Sequence, residues 1–322
     1  MPAIQNITAT HHSKFGFTLL ELSIALVVMG LIVGGILVGR DLLDAAYARS
    51  QIAQIDKFQT ATRLFETKYG YLPGDIPSPY ATNYGFQARG SYGGEGDGDG
   101  ALEGDCSNSA GSWSYYDQGC GEEAVFWADL TAASLIDSNI FGYDKKGANY
   151  PYISGSNGMG NVTASTTPSI KDWLPAAKIG ANNFIYVYGT SSGLNYFAVS
   201  TVDTIGWTVQ SNLNPGLTVQ QAYMIDSKID DGLPQSGNVT ACYVNYNVVN
   251  FYAVPPAGKL NIGANGGNIG NSYGGNDCSA TTTATVYANT NCYDNNNVAG
   301  TQKYSLSKNA NIQNCALSFQ FQ

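Results

Sequence analysis

A run of acidic residues separated by glycines has the residue types and spacing best suited to a chemistry. From residue 93 to 105 the chain is Gly-Gly-Glu-Gly-Asp-Gly-Asp-Gly-Ala-Leu-Glu-Gly-Asp. Alternating carboxylates on a glycine chain can curl around a hard cation, and this spacing matches the first half of a calcium loop. The predicted calcium ligands are Glu95, Asp97, Asp99, the carbonyl of Ala101, and Glu103 or Asp105 as the closing ligand.

The same loop departs from the helix-loop-helix calcium pattern in two ways. Its twelfth position is Cys106 where that pattern has glutamate, and no helix is predicted before it. A solvated acidic turn without a metal is therefore the alternative interpretation.

A second carboxylate of interest, Glu21, is the only charged residue between Phe17 and Gly39. As a helix this run is about 34 Å long, enough to cross a hydrocarbon core of about 30 Å. A charge in hydrocarbon costs at least ~2.5 kcal/mol. Glu21 is therefore expected to have a partner.

Two ordinary interpretations of the apolar run are a simple membrane anchor and a secretory signal peptide. A signal peptide is disfavoured because Glu21 lies inside the run, which is also too long. The triplet Ala46-Tyr47-Ala48 comes too far beyond the run to be its cleavage site.

The residues Gly16-Phe17-Thr18-Leu19-Leu20-Glu21 closely resemble the prepilin peptidase site of type IV pilins and type II secretion pseudopilins. The resemblance implies a cytoplasmic leader, residues 1–16, removed by prepilin peptidase after Gly16. It implies N-methylation of the new N-terminus to N-methylphenylalanine at Phe17. Glu21 would then pair with that amine, in a neighbouring subunit, during filament assembly.

The resemblance also implies partners and a location. The partners are prepilin peptidase and other pilin or pseudopilin subunits. The chain would be a single-pass protein of the inner membrane with a periplasmic head, later part of a cell-surface or periplasmic filament.

Composition favours an extracytoplasmic surface protein over a cytosolic enzyme. Charged residues make up 12% of the chain, about half the usual share. The net charge of −9 argues against nucleic acid as a partner. The two histidines, His11 and His12, lie in the predicted leader, so the mature chain is not expected to use histidine-based catalysis. A catalytic pair of carboxylates, as in glycosidases, stays open as an alternative, but nothing in the sequence selects such a pair. No enzyme is predicted.

All six cysteines follow the apolar run, and an even number in an exported region predicts disulfides. They allow 15 pairings. Pairing nearest neighbours gives Cys106–Cys120 and Cys278–Cys292, and leaves Cys242–Cys315.

The helix is predicted to continue beyond the membrane. Apolar residues recur at helical spacing from Ile52 to Tyr69, and Gly70 and Pro73 end the pattern. The predicted divisions are the leader 1–16, a membrane or filament-core helix 17–39, its amphipathic continuation 40–70, and a globular head 71–322.

Within the head, an amphipathic helix is predicted from Glu122 to Ile136, with Glu122 and Glu123 at its N-terminal dipole. A hairpin is predicted for residues 184–201, and Thr218 opens a helix through a capping box. Further strands are predicted at 240–246, 248–254 and 316–321.

The expected fold class is α+β and pilin-like: a long N-terminal helix packed on a mainly antiparallel sheet. The expected function is a structural subunit of a type IV pilus or type II secretion pseudopilus. The alternative is a minor tip pilin that acts as an adhesin.

Overall fold

The computed structural model describes part of the chain, which includes one long helix and a four-stranded sheet. The described residues are 17–89, 96–104, 119, 121–137, 140, 154–155, 158–159, 162–163, 169–190, 192–205, 209–210, 216–246, 250–254, 292–294 and 303–322.

One long helix, α1, runs from Leu19 to Tyr69. The chain divides into two compact units, Met1–Ala45 and 46–322. In the described part of the first unit the large apolar side chains are exposed, including Phe17 and Leu31. By length and composition, this helix is able to cross a membrane.

In the second unit α1 buries the stripe of residues that its spacing predicts. Ile55, Phe58 and Phe65 are each at most 5% exposed. The helix ends where Gly70 takes a φ of +79°, a conformation that favours glycine. Both the stripe and the end of the helix are therefore confirmed.

The other helices are short. They are α2 (Tyr80–Asn83), α3 (Gly121–Ala132), the 3-10 turn Ile170–Asp172, α4 (Val219–Ile229) and α5 (Leu306–Asn309).

Fifteen strands are described. They are β1 (Ser154–Gly155), β2 (Gly158–Met159), β3 (Val162–Thr163), β4 (Asn183–Tyr188), β5 (Tyr196–Thr201), β6 (Thr204–Ile205), β7 (Val209–Gln210), β8 (Leu217–Thr218), β9 (Val239–Thr240), β10 (Cys242–Tyr246), β11 (Asn250–Val254), β12 (Tyr293–Asp294), β13 (Lys303–Tyr304), β14 (Gln313–Cys315) and β15 (Leu317–Gln320).

The main sheet has four antiparallel strands in the order β4-β5-β15-β9. The predicted hairpin is confirmed as β4–β5, and it pairs Tyr188 with Tyr196 at its closed end. The strand nearest the C-terminus, β15, lies between β5 and β9. The predicted α+β class, a long helix followed by an antiparallel sheet, is thereby confirmed.

An aromatic cluster joins the helices to this sheet. Phe58 of α1 packs edge-on against Trp127 of α3, with ring centroids 4.8 Å apart. Phe197 of β5 lies 5.9 Å from Phe126 and 4.4 Å from Phe321. The core of the head is therefore formed jointly by α1, α3, β5 and the last residues of the chain.

Helix α3 differs from its prediction in length and in character. It stops at Ala132, and Ser134 takes a φ of 58° just beyond it. Every residue from Gly121 to Leu130 is buried, so the helix is not amphipathic. The reason is that Glu122 and Glu123 receive hydrogen bonds from buried backbone amides instead of facing water.

Candidate functional site

The start of α1 is capped by three reciprocal hydrogen bonds between Thr18 and Glu21. The amide and the hydroxyl of Thr18 both donate to Oε2 of Glu21, at 2.9 Å each. In return, the Glu21 amide donates to the Thr18 hydroxyl at 3.2 Å. This is a capping box, in which two helix-end donors are satisfied by side chains three residues apart.

Thr18 is therefore the described partner of Glu21. Pairing of Glu21 with the amine at Phe17 of a neighbouring subunit stays a prediction. The Thr-x-x-Glu spacing that gives a capping box is present in the sequence and is the signal that would have found it. Phe17 is 90% exposed at the beginning of the described chain. Gly16, the predicted residue before the cut, lies outside the described residues.

The acidic loop is built around Asp75, which the sequence did not indicate. Asp75 is 1% exposed, and its carboxylate accepts hydrogen bonds from the amides of Gly98 (2.7 Å) and Gly100 (3.0 Å). Oxygens of Asp75, Asp97 and Asp99 lie within 4.8 Å of one another, close enough to share a metal ion. Asp75, which lies outside the predicted loop, therefore supplies a third carboxylate beside Asp97 and Asp99.

Two turns shape the loop around these carboxylates. Oδ1 of Asp97 accepts from the amide of Asp99 at 3.0 Å, and Oδ1 of Asp99 accepts from the amide of Ala101 at 2.8 Å. Each bond spans two residues, as in the Asx turns typical of aspartate. The loop is thereby curled, with its carboxylates on one side.

Buried polar groups attach this loop to α3 and to the sheet. The Gly96 amide donates to Oε1 of Glu122 at 2.7 Å. Asn195, directly before β5, accepts from the amide of Leu102 and donates to the carbonyl of Gly100. Leu102 is fully buried and anchors the loop in the core of the head.

Burial raises the pKa values of the carboxyl groups at this site. It raises the pKa of Asp75 to about 6. The pKa of Glu122 is raised well above its usual value, first by burial and then by the nearby charges of Asp75 and Glu103. A cation bound among these groups would offset that concentration of negative charge.

The predicted calcium ligands are thus brought together only in part. Asp97 and Asp99 share the site with Asp75, whereas Glu95 and Asp105 lie outside the described residues. Ala101 lies within the loop, and Glu103 is buried and pairs through its backbone with Glu122. Calcium binding remains a prediction, with Asp75 added to its ligands.

A second group of acidic residues, Asp226, Asp230 and Asp231, lies at the end of α4 and accepts hydrogen bonds from the turn that follows. Asp226, fully buried, accepts from the hydroxyl of Tyr304 at 2.7 Å and from the amide of Gly232 at 3.2 Å. Burial raises its pKa to about 7. Asp230 and Asp231 bond to backbone amides of the following turn. These hydrogen bonds give the three aspartates a structural role. Asp226 itself is buried and does not face water.

One disulfide joins described cysteines, Cys292 and Cys315. The predicted pairs Cys278–Cys292 and Cys242–Cys315 are therefore wrong. The reason is topological: β14 carries Cys315 past the buried Cys292, whereas β10 holds Cys242 in a separate hairpin. Cys106, Cys120 and Cys278 lie outside the described residues.

The comparisons with known proteins concern the first residues of the chain. Residues 11–37 match the model of the prokaryotic N-terminal methylation motif, the signature of type IV pilins and pseudopilins. The match includes Gly16, Phe17 and Glu21, and it confirms the resemblance. No curated protein and no solved structure matches the chain. The motif implies processing by prepilin peptidase and assembly with other pilin subunits.

Proposed function

We propose that this chain is a structural subunit of a type IV pilus or a type II secretion pseudopilus. The observation that carries the proposal is the methylation motif, residues 11–37, which includes the start of an exposed apolar helix long enough to cross a membrane. Residues 1–16 would be the leader, 17–39 the membrane and filament-core helix, and 71–322 the extracytoplasmic head. The motif points to a structural protein rather than to an enzyme.

The processing step provides the direct test. We expect the mature protein to begin with N-methylphenylalanine at Phe17, which mass spectrometry of the N-terminal peptide detects. Gly16→Leu should leave an uncut, membrane-bound precursor, because a bulky residue replaces the glycine before the cut. Intact Met1, or a start at Arg49 after Ala46-Tyr47-Ala48, would contradict the proposal.

A tip pilin that binds a surface is the second candidate, and one feature of the head favours it. The rings of Tyr71 and Tyr80 are stacked with centroids 6.3 Å apart. Tyr80 and Tyr84 are each about half exposed (49% and 48%). Such an aromatic surface suits a binding module. Copy number in purified filaments separates a tip pilin, present once or a few times, from a major subunit.

We also propose that the loop of Asp75, Asp97 and Asp99 binds calcium. Three carboxylates lie within reach of one ion, and each accepts hydrogen bonds from backbone amides. Such oxygen ligands are the kind that calcium takes. The site lies in the head and would stabilise it without taking part in membrane anchoring.

Calcium should raise the melting temperature of the full chain in detergent. At a free calcium concentration about 100 times the Kd, the folded state gains ~2.7 kcal/mol. That corresponds to a shift of about 5 °C in a domain of this size. The double variant Asp97→Asn, Asp99→Asn keeps both turn acceptors but removes two charges, so most of the shift should disappear.

A surface carboxylate supplies the matched control for this measurement. Asp56→Asn removes an exposed charge on α1 and should retain the full calcium shift. Identical melting curves of the wild-type protein with calcium and with chelator would reject the site.

A further inference from the structure

The peptide groups on either side of Asp75 are held by the two members of one buried ion pair. The amide of Gly74 donates to Oδ2 of Asp129 at 2.8 Å. The carbonyl of Ile76 accepts from Nε of Arg89 at 3.2 Å. The side chains of Arg89 and Asp129 are only 2% and 1% exposed. The backbone that carries Asp75 is thus fixed before and after this residue.

Arg89 also lies close to Gly96, in the segment of the acidic loop that leads to Asp97. A Cβ atom placed on Gly96 would lie 2.6 Å from Cγ of Arg89 and 2.5 Å from the carbonyl oxygen of Ile76. Gly96 therefore passes directly over the arginine stem, where no larger residue fits. Arg89 therefore lies between the segment that carries Asp75 and the segment that leads to Asp97.

The bonds of Arg89 require a guanidinium group. Its Nε donates to Ile76, and its Nη1 donates to the carbonyl of Gln87 at 3.3 Å. Nη1 and Nη2 both bond to the carboxylate of Asp129. A lysine ammonium is a point charge on a flexible stem and cannot make this planar set of bonds at once.

We propose that Arg89, paired with Asp129, is a positioning residue of the cation site. It fixes the backbone around Asp75, so that the Asp75 carboxylate meets the amides of Gly98 and Gly100 and faces Asp97 and Asp99. The inference rests on the proposed calcium site for its ligand, and on contacts within the chain for its geometry.

The variant Arg89→Lys tests this role, because it keeps the charge opposite Asp129 but loses the bonds to Ile76 and Gln87. In the full chain in detergent, titration with calcium chloride should give a Kd at least about tenfold higher than in the wild type. Residues that orient metal ligands typically have effects of this size. In calcium-free buffer, hydrogen exchange at the amides of Gly98 and Gly100 should accelerate more than exchange in β5.

The control is Tyr304→Phe, which removes a buried hydrogen bond to Asp226 in the other acidic cluster. It should lower the melting temperature while leaving the calcium Kd and the exchange of Gly98 and Gly100 unchanged. If Arg89→Lys behaves like this control, Arg89 is a packing residue only and the inference is overturned.

Different results reject the calcium site and the positioning role of Arg89. If wild-type protein binds no calcium, the calcium site is rejected, and hydrogen exchange at Gly98 and Gly100 alone decides whether Arg89 positions the loop. If Arg89→Lys does not fold, Asp129→Asn replaces it, because asparagine retains an acceptor for the Gly74 amide. Wild-type exchange and wild-type Kd in that variant would overturn the inference.

Discussion

Replacing Glu21 with leucine should leave expression, cleavage after Gly16 and folding of the head intact, while incorporation into filaments falls at least about tenfold. In the proposed filament, the carboxylate of an entering subunit meets the amine at Phe17 of the preceding one. In hydrocarbon this attraction is weakly screened, so it fixes the axial position of the new subunit. A loss of about 1.4 kcal/mol per junction already corresponds to a tenfold change.

The capping box provides the control that separates assembly from helix formation. Thr18→Ala removes the hydroxyl that bonds to Glu21 but keeps the charge, so incorporation should stay near the wild-type level. Quantitative immunoblots of sheared filaments from cells that express both tagged and wild-type subunits measure the difference. Equal incorporation of Glu21→Leu and wild type would leave Glu21 with an anchoring role only.

Removing the disulfide between Cys292 and Cys315 should destabilise the head by about 3 kcal/mol. The two cysteines are separated by 23 residues, and closing a loop of that length restricts the unfolded chain by about this free energy. Urea unfolding of the double variant Cys292→Ala, Cys315→Ala, against the wild type under oxidising conditions, measures the loss.

The loop closed by this disulfide contains the two-residue strands β12 and β13. We expect their amides to exchange first in the double variant, because so short a pair of strands is marginal by itself. Tyr304→Phe is again a useful comparison, since it removes the bond from β13 to α4 but keeps the disulfide. An unchanged urea midpoint in the double variant would contradict the expected stabilisation.

Local signals in the sequence predicted the local structure well. The capping box at Thr218 is present with both of its bonds, since the Thr218 hydroxyl accepts from the Gln221 amide and the Gln221 side chain accepts in return. The end of α1 and the β4–β5 hairpin followed from glycines and from alternating apolar residues. In each case the residues that determine the structure lie within a few positions of one another.

Interactions between distant residues were not predictable in this way. Asp75 precedes Gly98 and Gly100 by 23 and 25 residues, and no pattern links them in a single sequence. The same holds for Arg89 and Asp129, which are 40 residues apart. Burial of the Glu122 carboxylate contradicts the usual preference of charged residues for the surface. Glu122 is buried because the amides of Gly96 and Glu103 donate to its carboxylate, and its residue type alone does not indicate this.

The cysteine pairs were missed for a related reason. Proximity in sequence favoured Cys278–Cys292, whereas the strand arrangement brings Cys292 to Cys315. Six cysteines leave many pairings open, and only the order of strands in space selects among them.

The place of β15 in the sheet constrains when the head can fold. This strand follows both β5 and β9 along the chain, yet it forms the only described bridge between them. The four-stranded sheet therefore closes only after β15 has been synthesised and has paired with both neighbours. Until then the apolar edge of β5 is open to chaperones and to other chains.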